Sequence, residues 1–285
     1  MKTIDRKIFR IALPAIVSNI TVPLLGLVDT AIVGHMGSAS VIGALAVGGM
    51  IFSIIYWLFT FLRMGTSGLT AQDLGAGNNT GITDTLYRAC LLAVIIGVVL
   101  IALHRPIFHL AMSLIGAEPE VAVHARTYFY VCIWGAVGVQ LMYALNGWFI
   151  GMQNTRVPMV VAIVQNVVNI PLSLLLVFGC GMDIAGVALG TVLAQYLGVA
   201  VAVVALWRKY RQYLTRINWR SVLQRSALLR FLNVNRDIML RMVCLIAVTV
   251  WFIAVGSKQG ELILAANAIL FQLFLIFLHI VFVIL

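Results

Sequence analysis

Apolar residues in this chain gather in long runs separated by short polar stretches. Eight runs lie at 8–33, 41–62, 89–103, 128–150, 157–178, 184–207, 238–255 and 262–285. Each is near the ~20 residues that a helix needs to cross the hydrocarbon of a bilayer. The pattern predicts an all-α polytopic membrane protein. The longest polar stretch, 208–230, divides six spans from the last two. The expected organisation is therefore a six-helix unit at 1–207, a basic loop at 208–230, and two further helices at 231–285.

The first run follows Lys2, Arg6, Lys7 and Arg10, as the core of a signal peptide would. A cleavable core is about 7–15 apolar residues. This run is longer and carries Asn19, Thr21 and Asp29, so it reads as a retained first helix.

Composition agrees with the pattern. Of 285 residues, 62% are hydrophobic and only 10% charged. A soluble protein of this size could not bury that much apolar surface. Charge adds orientation. With the N-terminus inside, fifteen Lys and Arg fall on the cytoplasmic side and three, Arg105, Arg126 and Lys258, outside. Basic residues concentrate in cytoplasmic loops, so the N-terminus is expected there. The same bias explains the net charge of +10 without a nucleic-acid surface, for which the chain shows no basic face with exposed readers. The four Cys form no C-x-x-C pair, and the five His show no H-x-x-x-H spacing, so no metal or cofactor is expected.

The stretch after the basic loop faintly repeats the start. Residues 6–10 open the first span and 236–241 the seventh; "IGALAVGG" (42–49) is echoed by "LAANAILF" (264–271). A six-helix repeat places both copies in the same orientation, related by an axis along the membrane normal. The chain ends inside the second helix of the second copy.

Asp29 alone among nine acidic residues lies well within a predicted span. An intramembrane carboxylate is costly and usually faces a cavity, where it handles ions or protons. Pro14 and Pro23 imply a bent first helix, since each frees a carbonyl that needs a new partner. Other spans carry polar groups at helical spacing: Asn166, Asn169 and Ser173 around Pro171; Thr191 and Gln195; Tyr143 and Asn146, with Tyr128 further back. Singly, such groups often only join helices. Together with Asp29 they could line one polar cavity. Gly65-Thr66-Ser67-Gly68 matches the G-x-S-G of rhomboid-type intramembrane proteases, which also need a facing His; His279 is the intramembrane candidate.

"SNITVPLLGLVDTAIVGHMG" (18–37), "FLRMGTSGLTAQDLGAGN" (61–78), "GWFIGMQNTRVPM" (147–159) and "LNVNRDIMLR" (232–241) resemble multidrug and toxic compound extrusion (MATE) transporters of the DinF branch. The resemblance makes G-T-S-G part of a family motif rather than a nucleophile site. It implies two six-helix lobes that alternate between inward and outward openings, of which this chain would hold the N-lobe and the first two helices of the C-lobe. It implies a bacterial inner-membrane antiporter that exports cationic or amphipathic compounds, driven by H⁺ or, as the alternative, Na⁺. It places Asp29 at the proton site, Pro14 at the bend, and Tyr128, Asn169 and Thr191 in the surrounding network. Asn146, and Tyr143 beside it, fall on the drug pocket.

Two departures stand out. Ser173 occupies the place of a second carboxylate found in many relatives, so Asp29 is expected to act alone. Family members continue past the eighth helix, so the chain looks truncated there, and the missing C-lobe would be needed for transport. The competing readings are a flippase for lipid-linked sugars in the same superfamily, a protease using Ser67, and an inactive fragment.

Overall fold

The computed structural model describes residues 26, 28–35, 38–214 and 218–257. Among them the chain is helical almost throughout, with no strand. A first helical stretch, α1 (28–34), is followed by α2 (Ala39–Leu58), α3 (Phe61–Gly75), α4 (Asn79–Ala102), α5 (His104–Ile115) and α6 (Pro119–Cys132). Then come α7 (Ala136–Gly151), α8 (Arg156–Leu174), α9 (Asp183–Leu214), the four-residue α10 (Trp219–Val222) and α11 (Arg225–Ser257). Pro14 and the expected eighth span lie outside the described residues.

Five stretches are long and apolar enough to cross a membrane: Ala39–Gly75, Asn79–Ala102, Pro119–Gly151, Arg156–Gly179 and Asp183–Leu214. They match the second to sixth expected spans in order, but not in length. The second expected span continues past 62 to Gly75, with a turn between α2 and α3. The third begins at Asn79 rather than 89, because Asn78 caps it by accepting from Gly81 N–H at 3.0 Å. The fourth starts at Pro119, not 128, and a 3₁₀ turn at Ile133–Gly135 divides α6 from α7. The connection expected between the third and fourth spans contains α5, closed by Gly116 in the left-handed region (φ 64°).

The basic stretch 208–230 is not simply a loop. Residues 208–214 finish α9, α10 follows, and α11 has already begun at Arg225. The expected seventh span, 238–255, is the later part of that 33-residue helix. Asp237 therefore lies well inside a helix, exposed and paired with Arg236 at 3.0 Å. Asp84, which lies between the second and third expected spans, is buried in the second turn of α4.

Each helix hides one face. Rows such as Val94, Ile95, Val98 and Val99 on α4, and Val203 and Val204 on α9, are exposed to the outside, as lipid-facing residues are. The most extensive packing joins α8 to α9 and α7 to both α3 and α4. Small residues allow it. A Cβ on Gly97 of α4 would lie 2.6 Å from the Val137 Cα, and one on Gly147 of α7 2.5 Å from the Arg63 carbonyl oxygen. Where α4, α7 and α9 meet, Trp148 is fully buried. Its indole N–H donates to the Ile82 carbonyl at 3.0 Å, and Tyr210 and Tyr213 meet its ring edge-on.

Gly97→Leu should force α4 and α7 apart and cost about 1–3 kcal/mol of stability. Gly68→Ala, where an added Cβ in the α3 interior meets nothing within 4 Å, should leave stability unchanged or raise it by up to about 1 kcal/mol. Thermal melts of the detergent-solubilised variants compare the two directly.

Candidate functional site

Three helices bring the polar centre together. Asp29 on α1 is 6% exposed, and Asn169 on α8 is fully buried. The Asn169 side-chain amide lies between Asp29 and Thr191 of α9. In one orientation its Nδ2 donates to Thr191 Oγ1 at 3.2 Å, and that hydroxyl donates to the Val187 carbonyl at 3.0 Å. Turned about, Nδ2 donates to Asp29 Oδ1 at 3.3 Å, while Oδ1 accepts from Thr191 Oγ1 at 3.2 Å and Thr191 N–H at 3.3 Å. The second orientation satisfies an ionised Asp29, which can only accept. Both ends of the amide then have a partner.

Tyr128 stands nearby on α6, buried, with its ring edge-on to Phe52 of α2. Gly48 makes its seat: a Cβ there would come within 2.4 Å of the ring. Tyr128 and Cys132, one turn apart, lie within electrostatic reach of Asp29. The Cys132 thiol points at the Ala188 carbonyl, 3.8 Å away. Cys132 and Gly48 were not singled out from the sequence. The i, i+4 spacing from Tyr128 is the signal that marks Cys132; nothing in the sequence marks Gly48 among so many glycines.

Ser173, one turn beyond Asn169, is also fully buried. Its hydroxyl has no hydrogen-bond partner and fits only because Gly190 faces it; a Cβ there would sit 2.6 Å from Ser173 Oγ. Asn166 is half-buried. On α7, Tyr143 and Asn146 are half-buried, and Asn146 Oδ1 is buried without a partner. Gln140, a turn earlier, is fully buried with both amide atoms unpartnered. Asp29, Tyr128, Asn169 and Thr191 thus form one cluster, while Tyr143 and Asn146 stand on a separate helix.

Ser67 lies inside α3, half-buried, and its carbonyl packs against Gly151 of α7. His279 lies outside the described residues. No group of three His, Cys, Asp or Glu converges among the described residues.

The fold is thus a multi-pass bundle of membrane helices in which α1, α8 and α9 bury the Asp29 carboxylate beside an amide partner. The MatE family model matches residues 14–175, and the chain belongs to that family. It is 37% identical to DNA damage-inducible protein F of Escherichia coli K12 over 94% of this chain and 59% of that protein. It is 29% identical to the multidrug resistance protein MdtK of Edwardsiella ictaluri over 61% of this chain and 38% of that protein. Among solved structures it superposes on the Vibrio cholerae MATE transporter VcmN in its bent form. That match has a TM-score of 0.83 at 19% identity, covering 98% of this chain and 63% of that one. The chain therefore spans about three fifths of the Escherichia coli relative.

Removing an unpartnered buried hydroxyl costs little, whereas removing one end of a paired buried group does not. Ser173→Ala should leave the melting temperature unchanged or raised. Asn169→Ala should lower stability by about 1–3 kcal/mol, because Asp29 and Thr191 both lose a partner. Melting both variants in the same detergent checks the order.

Proposed function

We propose that this chain carries the first lobe of a cation-coupled exporter of cationic or amphipathic compounds, with H⁺ as the coupling ion and Asp29 as the site that takes it up. The observation that carries this reading is the buried Asp29 carboxylate held by an amide that has two usable orientations. Ionised Asp29 accepts from Asn169 Nδ2. Once protonated, Asp29 becomes a donor as well. The amide can then turn, accept from Asp29 through Oδ1 and donate to Thr191, whose hydroxyl already faces the Val187 carbonyl. One proton on Asp29 thereby changes what α8 and α9 offer to α1, a local change of the kind that biases a two-state element.

Tyr128, beside Asp29, limits how the carboxyl can move within the cluster. Ser173 supplies no charge, which favours a proton over a cation needing several anionic ligands. Tyr143 and Asn146 supply the polar groups of a largely apolar substrate cavity, with the unpartnered Asn146 Oδ1 free to accept from a cationic ammonium. The names of the relatives support multidrug export as the class of activity.

The remaining parts of this reading follow the same lines. The chain resides in a bacterial inner membrane with its N-terminus in the cytoplasm, as its basic residues suggest. The lobe works against a second one, since alternating access rocks two halves about a shared site. The bend of the first helix is assigned to Pro14.

Asp29→Asn should abolish dye efflux driven by a pH gradient in Na⁺-free proteoliposomes of the protein containing both lobes, with protein yield unchanged. Unchanged efflux in that variant would remove Asp29 as the proton site. Efflux that requires Na⁺ would replace the coupling ion.

A further inference from the structure

The connection between α9 and α11 is held more firmly than its composition suggests. α10 is four residues long, too short to persist on its own helical propensity. It lies against the start of α4, where Arg88 and Asp84 are both buried and form an ion pair at 3.2 Å. The Arg88 guanidinium also grips the main chain of α10: Nε donates to the Val222 carbonyl at 2.8 Å and Nη2 to the Ser221 carbonyl at 2.6 Å. The Ser221 hydroxyl donates back to Asp84. Val222 is fully buried, and Trp219 packs on the Tyr87 ring. Charge-assisted bonds from a buried guanidinium to a carboxylate and two main-chain carbonyls make a rigid clamp.

On α11, Phe231 is buried among Phe61, Leu62, Ala89, Ala93 and Ala144, and the contact one turn beyond it is of a different kind. On α11, Asn235 is buried against Gly65 of α3, so close that a Cβ on Gly65 would lie 2.5 Å from Asn235 Oδ1. Asn235 Nδ2 donates to the Phe231 carbonyl at 2.8 Å, but Oδ1 has no partner. A buried acceptor without a donor raises the energy of this arrangement and would be relieved on separation, when water reaches it. Between the clamp and the buried Phe231, Leu223 and Gln224 are both exposed.

We propose that Arg88 and Asp84 are positioning residues that fasten α10 to the first lobe, so that α11 pivots at Leu223–Gln224 and parts Phe231 from its apolar seat and Asn235 from Gly65 when this end of the bundle opens. The inference rests on the transport reading only for the purpose of the movement; the joint itself is defined by the contacts.

Amide hydrogen exchange on the 285-residue chain in lipid nanodiscs tests it, with or without any export activity. In the unaltered chain, peptides covering 218–224 should be protected. Arg88→Ala should speed their exchange by about tenfold while α7 to α9 stay unchanged. Arg88→Lys keeps the charge but cannot span both carbonyls, so it should loosen the same peptides to a smaller degree. Gly65→Leu, a wedge under Asn235, should speed exchange over 226–240 and leave 218–224 protected. The clamp is overturned if 218–224 is unprotected in the unaltered chain, or unaffected by Arg88→Ala. It is equally overturned if both Arg88 variants loosen the whole bundle. Joint loosening of 218–224 and 226–240 by Gly65→Leu would overturn the pivot. Lost or absent dye efflux with this exchange pattern intact would count against the transport reading alone.

Discussion

A carboxylate inside a membrane helix costs at least ~2.5 kcal/mol on insertion scales, so it persists only where the protein supplies partners. Asp29 meets that requirement through one neutral amide rather than through an opposite charge. A buried Arg or Lys would have locked the carboxyl in its ionised form. An amide, with a donor at one end and an acceptor at the other, accommodates either protonation state. The packing around it serves that contact. Gly48 seats Tyr128 beside Asp29, and Gly190 lets α9 approach α8 closely enough for Thr191 to reach Asn169.

The chain uses its other buried charges differently. Arg88 and Asp84 pair with each other, Arg88 also donates to two α10 carbonyls, and Asp84 accepts from the Ser221 hydroxyl. Such a pair has little reason to change state, which suits a fixed joint. Among the described residues Asp29 forms no ion pair, which suits the proton site proposed for it. Of the two acids buried among the described residues, Asp84 is thus tied to a cation at the end of the bundle, and Asp29 is held by a neutral amide within it.

Much of the architecture was legible as apolar runs of bilayer length, because lipid exposure demands continuous hydrophobicity whatever the helix packs against. The errors have physical causes. The first two turns of α4 read as polar because Thr83, Asp84, Thr85 and Arg88 are buried against α10 and neighbouring polar groups rather than lipid. α5 is only twelve residues long, too short for a span pattern. The stretch 208–214 reads as loop from its charges, yet it continues α9 across a kink at Tyr210 (φ −129°, ψ 27°), with Lys209 over Tyr210 and Arg211 over Trp207. At the site, Asn169 and Ser173 were legible as one helical face. Their unequal roles were not, because only the fold decides that Asn169 meets Asp29 while Ser173 meets Gly190.

The central claim is that Asp29 takes up a proton and that Asn169 responds to it. Infrared difference spectroscopy across a pH titration of the membrane-embedded protein reads this directly, through the carbonyl stretch of a protonated carboxyl group. The account predicts a band that appears on acidification, is absent in Asp29→Asn, and shifts in frequency in Asn169→Ala. A titration without any band that depends on Asp29, in protein that remains folded, would contradict it.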